Sequence, residues 1–417
     1  MHFGIVNFCP MLKSASESLV YGWRLQIYIS RLSLVNFRSY ENLSLEFPEG
    51  LILLEGANGQ GKSNLMEAAY LLAIAKSNRA SMDREMVRIE ARTGPQPHAQ
   101  ILAHLTLADG DVRLQVDFSA SGNSGNPHSE AAVFHKSFRV NGVGRRVSSV
   151  VGILNAVMFG AEDLELVYGT PSIRRRYLDI LISQLDDRYL RSLQRYHKIL
   201  AQRNHLLKRI RQRSASPDEL QFWDVELIAE ASFIIEQRAN TLASLNDIAA
   251  PLHAELAGVD DILKLVYRPS IDIPQEITVD VAAEILTEGL ADERSREIAQ
   301  GFTILGPHRD DVEPQIAGME ASAYASRGQV RTVVLAMKLA EAEHLKRRRG
   351  QEPVLLLDDV LSELDSGRRD LVLDKAATYQ QCFITTAEPD IIGLERLSEM
   401  HRFDVKLGSV KAISITD

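Results

Sequence analysis

The sequence predicts a mixed α/β fold that a long helical segment interrupts. Apolar residues alternate with polar ones from Ile27 onward, which is typical of β-strands. Two long helical patterns occupy the middle of the chain, and strongly apolar strand patterns return after about residue 297. We therefore expect one core built from both ends of the chain. The predicted segments are an extension (1–26), a first core half (27–165), a helical lobe (166–296) and a second core half (297–417).

Composition narrows the class of protein. Of the 417 residues, 45% are hydrophobic and 25% are charged, which is ordinary for a globular protein and excludes a wholly disordered chain. No run approaches 18 consecutive apolar residues, so we expect no membrane-spanning helix and no membrane partner. Cys9 and Cys382 cannot form a disulfide framework, and no Cys-x-x-Cys metal pattern is present. These features favour the reducing cytoplasm.

The first core half shows strands and turns. The run IYISRLSLVNF alternates from Ile27, NLSLEF follows it, and LILLE is a short buried run between Gly50 and Gly56. Asp109-Gly110 and Asn141-Gly142 are hairpin signals. Residues 119–130 are polar and predict a loop. Residues 1–26 contain Pro10 within their one apolar run, so they make a poor secretory signal and predict a loosely attached extension.

A phosphate-binding loop follows LILLE. Residues 56–63 fit the pattern G-x-x-x-x-G-K-[ST], and a helix is predicted over Lys62–Ala75. Glycines let the backbone curl so that N–H groups point at phosphate oxygens, and the start of a helix adds positive charge. A chance match is the alternative, but the flanking strand and helix supply the expected context. The predicted ATP contacts are Gly56, Ala57, Asn58, Gly59, Gln60, Gly61, Lys62, Ser63 and Asn64.

Two adjacent aspartates complete the expected chemistry. Asp358 and Asp359 follow the apolar run VLLL, which predicts a buried parallel strand that delivers them to its C-terminal edge. We expect Lys62 to neutralise the β- and γ-phosphates, Ser63 and Asp358 to hold Mg²⁺, and Asp359 to polarise an attacking water. Adjacent aspartates are also common in turns. Lys62 and Asp358 are 296 residues apart, much farther than in a simple P-loop enzyme.

The middle of the chain is basic although the chain as a whole is acidic. The formal net charge is −9, yet Arg174–Arg213 contains twelve Lys or Arg and three Asp or Glu. Pro171–Arg213 and Glu219–Leu256 predict two helices that pair antiparallel, with a break at 214–218. The basic residues predict either a solvated helix face or a surface for an anionic partner.

Further motifs resemble the ABC ATPase superfamily. Ser326-Arg327-Gly328-Gln329 before an apolar helix looks like its signature motif, and Ser362–Asp365 looks like its D-loop. Arg327 replaces the usual first glycine, and this replacement resembles the RecF family of bacterial recombination mediators. The segments Leu32–Tyr40, Phe159–Leu164 and Gly306–Asp311 strengthen the resemblance, which covers the chain from about Ile27 to its end.

The resemblance implies an ABC-type P-loop ATPase head, with a mixed sheet, an antiparallel β subdomain and an inserted helical lobe. It also implies an ATP-dependent homodimer in which Ser326, Arg327, Gly328 and Gln329 of one subunit meet the ATP of the other. An ordinary helix cap is the alternative for Ser326–Gln329. Asp365 of the D-loop and Thr386 of the switch region are implied to join the site. Glu162 falls where the family's magnesium-binding loop lies, and it is a further catalytic candidate.

Two positions leave alternatives open. Asp359 stands where ABC enzymes usually have glutamate, and its shorter side chain predicts slow hydrolysis. His308 is a second candidate base, and a structural histidine that bridges the two lobes is the alternative.

The resemblance also implies a role in gap repair, replication and damage-response (SOS) signalling, with RecR and RecO as partners. Its implied DNA targets are single strands, duplexes and their junctions. We expect phosphate contacts without base readout, because the sequence contains no zinc finger, RNP motif or recognition helix. The candidate DNA contacts are Arg174, Arg175, Arg176, Arg191, Arg195, Arg203, Lys208, Arg209, Arg211 and Arg213, with Lys346–Arg349 as another basic run.

Three other functions compete with this interpretation. A transporter nucleotide-binding domain would place its signature much closer to the P-loop than the 264 residues between Lys62 and Ser326. An SMC or Rad50 head would insert hundreds of heptad residues, which are absent. An ATP-gated scaffold without significant turnover is compatible with Asp359.

Overall fold

The computed structural model describes residues 27–93, 97–107, 110–120, 133–258, 262–274 and 276–413. The predicted extension 1–26 lies outside these residues, as do 108–109 of the first hairpin turn and most of the predicted loop 119–130. The described strands are β1 (Ile27–Phe37), β2 (Tyr40–Glu46), β3 (Gly50–Glu55), β4 (His98–Leu107), β5 (Gly110–Ala120), β6 (Phe134–Val140), β7 (Val143–Arg145), β8 (Ala156–Gly160), β9 (Leu263–Arg268), β10 (Asp311–Ile316), β11 (Met319–Glu320), β12 (Val354–Asp358), β13 (Gln381–Thr386), β14 (His401–Lys406) and β15 (Ser409–Ala412).

Helices connect these strands and form most of the middle of the chain. The described α-helices are α1 (Lys62–Ile74), α2 (Glu165–Tyr168), α3 (Pro171–Leu185), α4 (Asp187–Arg211), α5 (Leu220–Ala257), α6 (Val279–Gln300), α7 (Ala321–Tyr324), α8 (Arg327–Arg349), α9 (Ser366–Ala377) and α10 (Leu394–Ser398). None of these described helices is long and apolar enough to cross a membrane.

The central sheet is built from both ends of the chain, as predicted. Its strand order is β15-β14-β3-β13-β12-β8, and all neighbours are parallel except β14 and β15. The interior strands β3 and β12 carry near-continuous apolar runs, and every residue of β13 is buried, as expected where both faces of a sheet are covered. Parallel strands place their carboxyl ends at one edge, so Glu55, Gly160, Asp358 and Thr386 end side by side.

An antiparallel sheet packs on the other side of α1. Its strand order is β2-β1-β4-β5-β6-β7, and α1 contacts strands of both large sheets. The turn predicted at Asn141-Gly142 joins β6 and β7, with both residues at positive φ (52° and 80°). Asparagine and glycine tolerate this conformation better than other residues, which explains the hairpin signal.

The helical lobe differs from the prediction in two places, inside the predicted first helix and at the C-terminal boundary of the lobe. The stretch 171–213 forms two helices rather than one, because Asp186 leaves the helical conformation (φ −134°) and caps α4 through Arg188 N at 2.8 Å. After the predicted break, α5 packs on α4 and on α8. Strand β9 of the lobe pairs with β10, so the boundary expected at residues 296 and 297 cuts between paired strands.

Candidate functional site

The phosphate-binding loop curls around the ammonium group of Lys62. The nitrogen Nζ donates to the carbonyl oxygens of Gly56 and Ala57 at 2.5 and 3.0 Å. Gly56 has φ 147°, and a Cβ atom there would lie 2.3 Å from the Val405 carbonyl oxygen, so glycine is required. Burial lowers the pKa of Lys62, while the charges of Asp359 and Asp358 oppose that shift.

Asp358 is the point where three elements of the site meet. Its Oδ1 accepts hydrogen bonds from Ser63 Oγ, at the start of α1, and from Thr385 Oγ1, on β13, both at 2.8 Å. Thr385 Oγ1 in turn accepts from the backbone N–H of Asp359 at 2.9 Å. A carboxylate beside a hydroxyl, both at the phosphate-binding loop, is the hard oxygen donor set that Mg²⁺ prefers, so these residues fit the predicted ion.

Asp359 adopts a strained backbone conformation directly after β12. Its φ is 56°, which is uncommon for a residue other than glycine. The tight turn places Asp359 in the walls of two adjoining cavities, together with Ser63. The sequence prediction that Asp359 shares a site with Lys62 is therefore geometrically consistent.

A cleft of about 310 Å³ continues from this point along α1 and β8. Glu162 lies in its wall, where it forms an ion pair with Arg79 (3.3 Å). Arg79 also lines the cavity at Lys62 and Ser63, yet sequence analysis missed it. It belongs to no recognised motif, so no signal in the sequence singles it out.

Sequence analysis also missed a buried charge cluster at the far end of this cleft. Lys338 on α8 pairs with Glu341 at 2.7 Å and lies 4.0 Å from Asp163. Burial raises the pKa of Asp163 and of Glu341, and the positive charge of Lys338 opposes both shifts. The helix that begins at the signature motif is thereby tied to the loop that carries Glu162.

Two residues predicted to belong to the nucleotide site, Thr386 and His308, lie away from the cavities at Asp359. The Thr386 side chain is buried and accepts from Glu388 N at 3.0 Å, whereas its neighbour Thr385 contacts Asp358. Successive side chains on a strand point to opposite faces, so Thr386 does not share the contact with Asp358, and its role toward the γ-phosphate stays a prediction. His308 lines neither of the two cavities at Asp359, and it bonds to Tyr196 and Thr303 instead. The structural interpretation of His308 therefore replaces that of a base.

The signature and D-loop residues both cap helices. Ser326 Oγ accepts from Gln329 N at 3.3 Å, and Gln329 Oε1 accepts from Ser326 N at 2.8 Å. Asp365 Oδ1 accepts from Arg368 N at 3.0 Å, and this hydrogen bond lowers the pKa of Asp365. Ser326, Arg327 and Gln329 are exposed and do not line the cavities at the P-loop of their own chain. Their role toward a second subunit stays a prediction.

The predicted DNA contacts divide into paired and unpaired cations. Arg203 was a wrong choice: it is fully buried and donates to Asp224, Thr303 and Glu297 at 2.8, 2.7 and 2.6 Å, so it cannot reach a phosphate. Arg174 donates hydrogen bonds to both carboxylate oxygens of Asp311, each at 2.7 Å. Arg191 and Arg195 also form ion pairs, with acidic side chains of α4 and α5.

The cations that could still contact DNA phosphates lie at the end of α4. Four of the predicted DNA contacts are exposed and form no ion pair with a described residue: Lys208, Arg209, Arg211 and Arg213. Arg175 and Arg176 are half-buried and donate to carbonyl oxygens of Asp310 and Ser77.

Comparison with known proteins defines the class of this fold and site. The family model of the RecF/RecN/SMC N terminal domain matches residues 28–402. The chain also shares its fold with the Smc head domain of Pyrococcus furiosus, with a TM-score of 0.51 and 17% identity over 94% of this chain and 96% of that one. The fold is that of an ABC-type P-loop ATPase head with an inserted helical lobe.

Closer relatives specify the family. The DNA replication and repair protein RecF of Herpetosiphon aurantiacus is 40% identical over 398 residues, 92% of this chain and 99% of that protein. The protein of the same name from Bacillus cereus is 37% identical over 386 residues, 92% of this chain and 98% of the relative. A solved structure of the recombination mediator RecF with ATP has a TM-score of 0.83 at 31% identity, covering 94% of this chain and all of that one. The chain therefore belongs to the RecF family.

Proposed function

We propose that this chain is an ATP-dependent DNA-binding protein that acts in the cytoplasm in recombinational gap repair, replication and SOS induction. The observation that carries the proposal is the convergence of Lys62, Ser63, Asp358 and Asp359 at one sheet edge. The solved RecF–ATP structure and the relatives named for DNA replication and repair support the same assignment.

The site suggests how the chain handles the nucleotide. The backbone N–H groups of residues 56–63 and Lys62 bind the phosphates, and Ser63 with Asp358 would hold Mg²⁺. The ion, when bound, supplies charge neutralisation at the phosphates. Asp359 accepts a proton from the attacking water, and Arg79 and Glu162 lie beside the same cavity. The short Asp359 side chain predicts slow turnover.

Dimerisation links ATP to DNA in this proposal. ATP bound at one P-loop recruits Ser326–Gln329 and Asp365 of a second copy, and the dimer aligns two basic α4 ends on one DNA. A single chain of net charge −9 binds DNA weakly, whereas two aligned basic surfaces bind it strongly. DNA therefore stimulates hydrolysis by stabilising the dimer, with RecR and RecO as the partners proposed from the family.

The test is ATP turnover per subunit as a function of protein concentration, with and without a gapped duplex. A rate that rises with concentration and rises further with DNA supports a site assembled from two subunits. A flat rate that ignores DNA contradicts the proposal.

An ATP-gated scaffold is the second candidate, favoured by Asp359 in place of glutamate. ATP-driven dimerisation without measurable turnover would identify it.

A further inference from the structure

A second cleft, of about 510 Å³, lies between the helical lobe and the sheet core. Its walls come from α3, α4, the end of α1 and the loop at Pro307-His308. Of the described residues, none in 56–63 lines it, so it is separate from the phosphate-binding loop. Its volume falls within the range of small-molecule sites, about 300–1,000 Å³.

The charge of this cleft is unbalanced. Four cationic side chains line it, and Asp179 is the one carboxylate. Arg238 already engages Asp179 through both oxygens, at 2.9 and 3.1 Å. Among the described residues, Lys76, Arg175 and Arg176 have no carboxylate within 4.0 Å. Three positive charges therefore face the cleft without an ion-pair partner.

Hydrogen bonds to backbone oxygens hold the two arginines in place. Arg175 donates to the carbonyl oxygen of Asp310 at 2.5 Å, and Arg176 donates to that of Ser77 at 2.8 Å. A guanidinium group has five N–H donors, so each arginine keeps donors for a ligand. Burial and the charge of Arg238 lower the pKa of Arg175, and burial and the charge of Arg176 lower that of Lys76. An anion between them would relieve this repulsion.

The remainder of the lining is largely apolar, with Ile74, Ile180, Leu190 and Leu193 among its members. A few fixed positive charges beside an apolar wall suit a phosphate ester that carries a planar aromatic group. We propose that this cleft binds a nucleotide, with its phosphate on Lys76, Arg175 and Arg176 and its base against the apolar wall.

Two ligands share this chemistry: a free mononucleotide and one nucleotide of a DNA strand. The second source rests on the proposed function, because Arg175 and Arg176 are proposed DNA contacts. Arg176 also lines the cleft at Asp358, so the two sites share a wall.

The test uses the full chain with Lys62→Ala, which is expected to weaken nucleotide binding at the phosphate-binding loop about 100-fold. Equilibrium dialysis at low salt measures radiolabelled AMP and, separately, a single-stranded 12-mer. We expect saturable binding that Lys76→Gln and Arg175→Gln each weaken about tenfold, the value of one charge-assisted hydrogen bond. Lys264→Gln, at an exposed lysine on β9, is the matched control and leaves binding unchanged. Circular dichroism verifies that each variant is folded.

The two probes distinguish the sources. Binding of AMP that depends on Lys76 and Arg175 identifies a free nucleotide, and such dependence for the 12-mer alone identifies a DNA strand. Binding of neither probe, or equal binding by all variants, overturns the inference. ATP-dependent dimerisation is measured separately, on the protein with Lys62 intact. A failure to dimerise would contradict the proposed function without affecting the test of the cleft.

Discussion

At the residue scale, Lys62 carries the clearest prediction for the nucleotide site. Its ammonium group holds the P-loop through two carbonyl oxygens, and Lys62 is the one cationic residue within 56–63. Lys62→Ala should weaken ATP binding about 100-fold, because it removes charge-assisted hydrogen bonds and the loop's internal support. Isothermal titration with ATP and Mg²⁺ measures this.

The matched control is Lys406→Ala, at an exposed lysine on β14. It should bind ATP as the unchanged protein does. Retained binding by Lys62→Ala would refute the assignment of the phosphate-binding loop.

His308 makes a different kind of contribution, to stability. The Thr303 carbonyl oxygen can only accept, so His308 Nε2 carries the hydrogen and Nδ1 accepts from the Tyr196 hydroxyl at 2.6 Å. Burial lowers the pKa of His308 to about 4, from an ordinary value of 6.5. The unfolded chain therefore takes up a proton at a higher pH than the folded chain does.

Stability should consequently fall as pH drops through the window between 6.5 and 4. At pH 5 this group alone lowers the free energy of unfolding by about 2 kcal/mol relative to pH 7. His308→Gln should remove that part of the pH dependence, as measured by urea unfolding at both pH values. His401→Gln, at an exposed histidine, should not. Equal pH dependence in all three proteins would contradict the structural role.

Residues in local motifs could be predicted from the sequence, and those placed by long-range contacts could not. Lys62 and Ser63 follow from eight consecutive residues, because loop and helix geometry are local. Arg79 reaches the site through the path of the chain after α1, which no spacing rule describes. The choice between Thr385 and Thr386 depends on which face of β13 meets Asp358, and a strand that is buried on both faces does not reveal this in its sequence.

At the element scale, α8 connects the exposed signature residues to the buried charges of Lys338 and Glu341. Ser326→Arg should leave ATP binding intact and block ATP-dependent dimerisation, because a large cation would occupy the space of the second subunit's phosphates. Light scattering with and without ATP measures the dimer. Loss of the helix cap is a competing cause, since a cap contributes about 1 kcal/mol.

Ser326→Asp separates these causes. Aspartate caps helices as well as serine does, but its negative charge would repel a phosphate. We expect it to keep the thermal stability of the unchanged protein and still fail to dimerise. Normal dimerisation of Ser326→Asp would mean that Ser326 acts as a helix cap alone.

The order of elements could be predicted, but the border of the helical lobe could not. The helical pattern predicts α5 and helical structure over 171–213, which proves to be α3 and α4. In contrast, β9 is a short strand whose partner β10 lies more than 40 residues farther along. Arg203 shows the same limit, because its acidic partners lie on α5 and α6. A basic residue on a helix looks exposed in sequence until its distant partners bury it.

At the scale of the whole molecule, the distribution of charge bears on the proposed DNA binding. Because the net charge is −9, we expect DNA binding to depend on the unpaired cations at the end of α4 rather than on the total charge. Phosphate contacts release counterions, so log K should fall linearly with log salt concentration, by about 0.9 per contact. Lys208→Gln should reduce that slope by about 1 in each subunit and weaken binding similarly for unrelated DNA sequences.

Fluorescence anisotropy of labelled duplexes at several salt concentrations, with ATP present, provides the measurement. Arg191→Gln is the matched control, because Arg191 is an exposed arginine on the same helix that is already paired with Asp187. Its salt slope should equal that of the unchanged protein, because the substitution breaks an exposed ion pair and removes no contact with a DNA phosphate. If Arg191→Gln lowered the slope as much as Lys208→Gln did, DNA would lie along the whole of α4, and the division into paired and unpaired cations would not predict the binding surface.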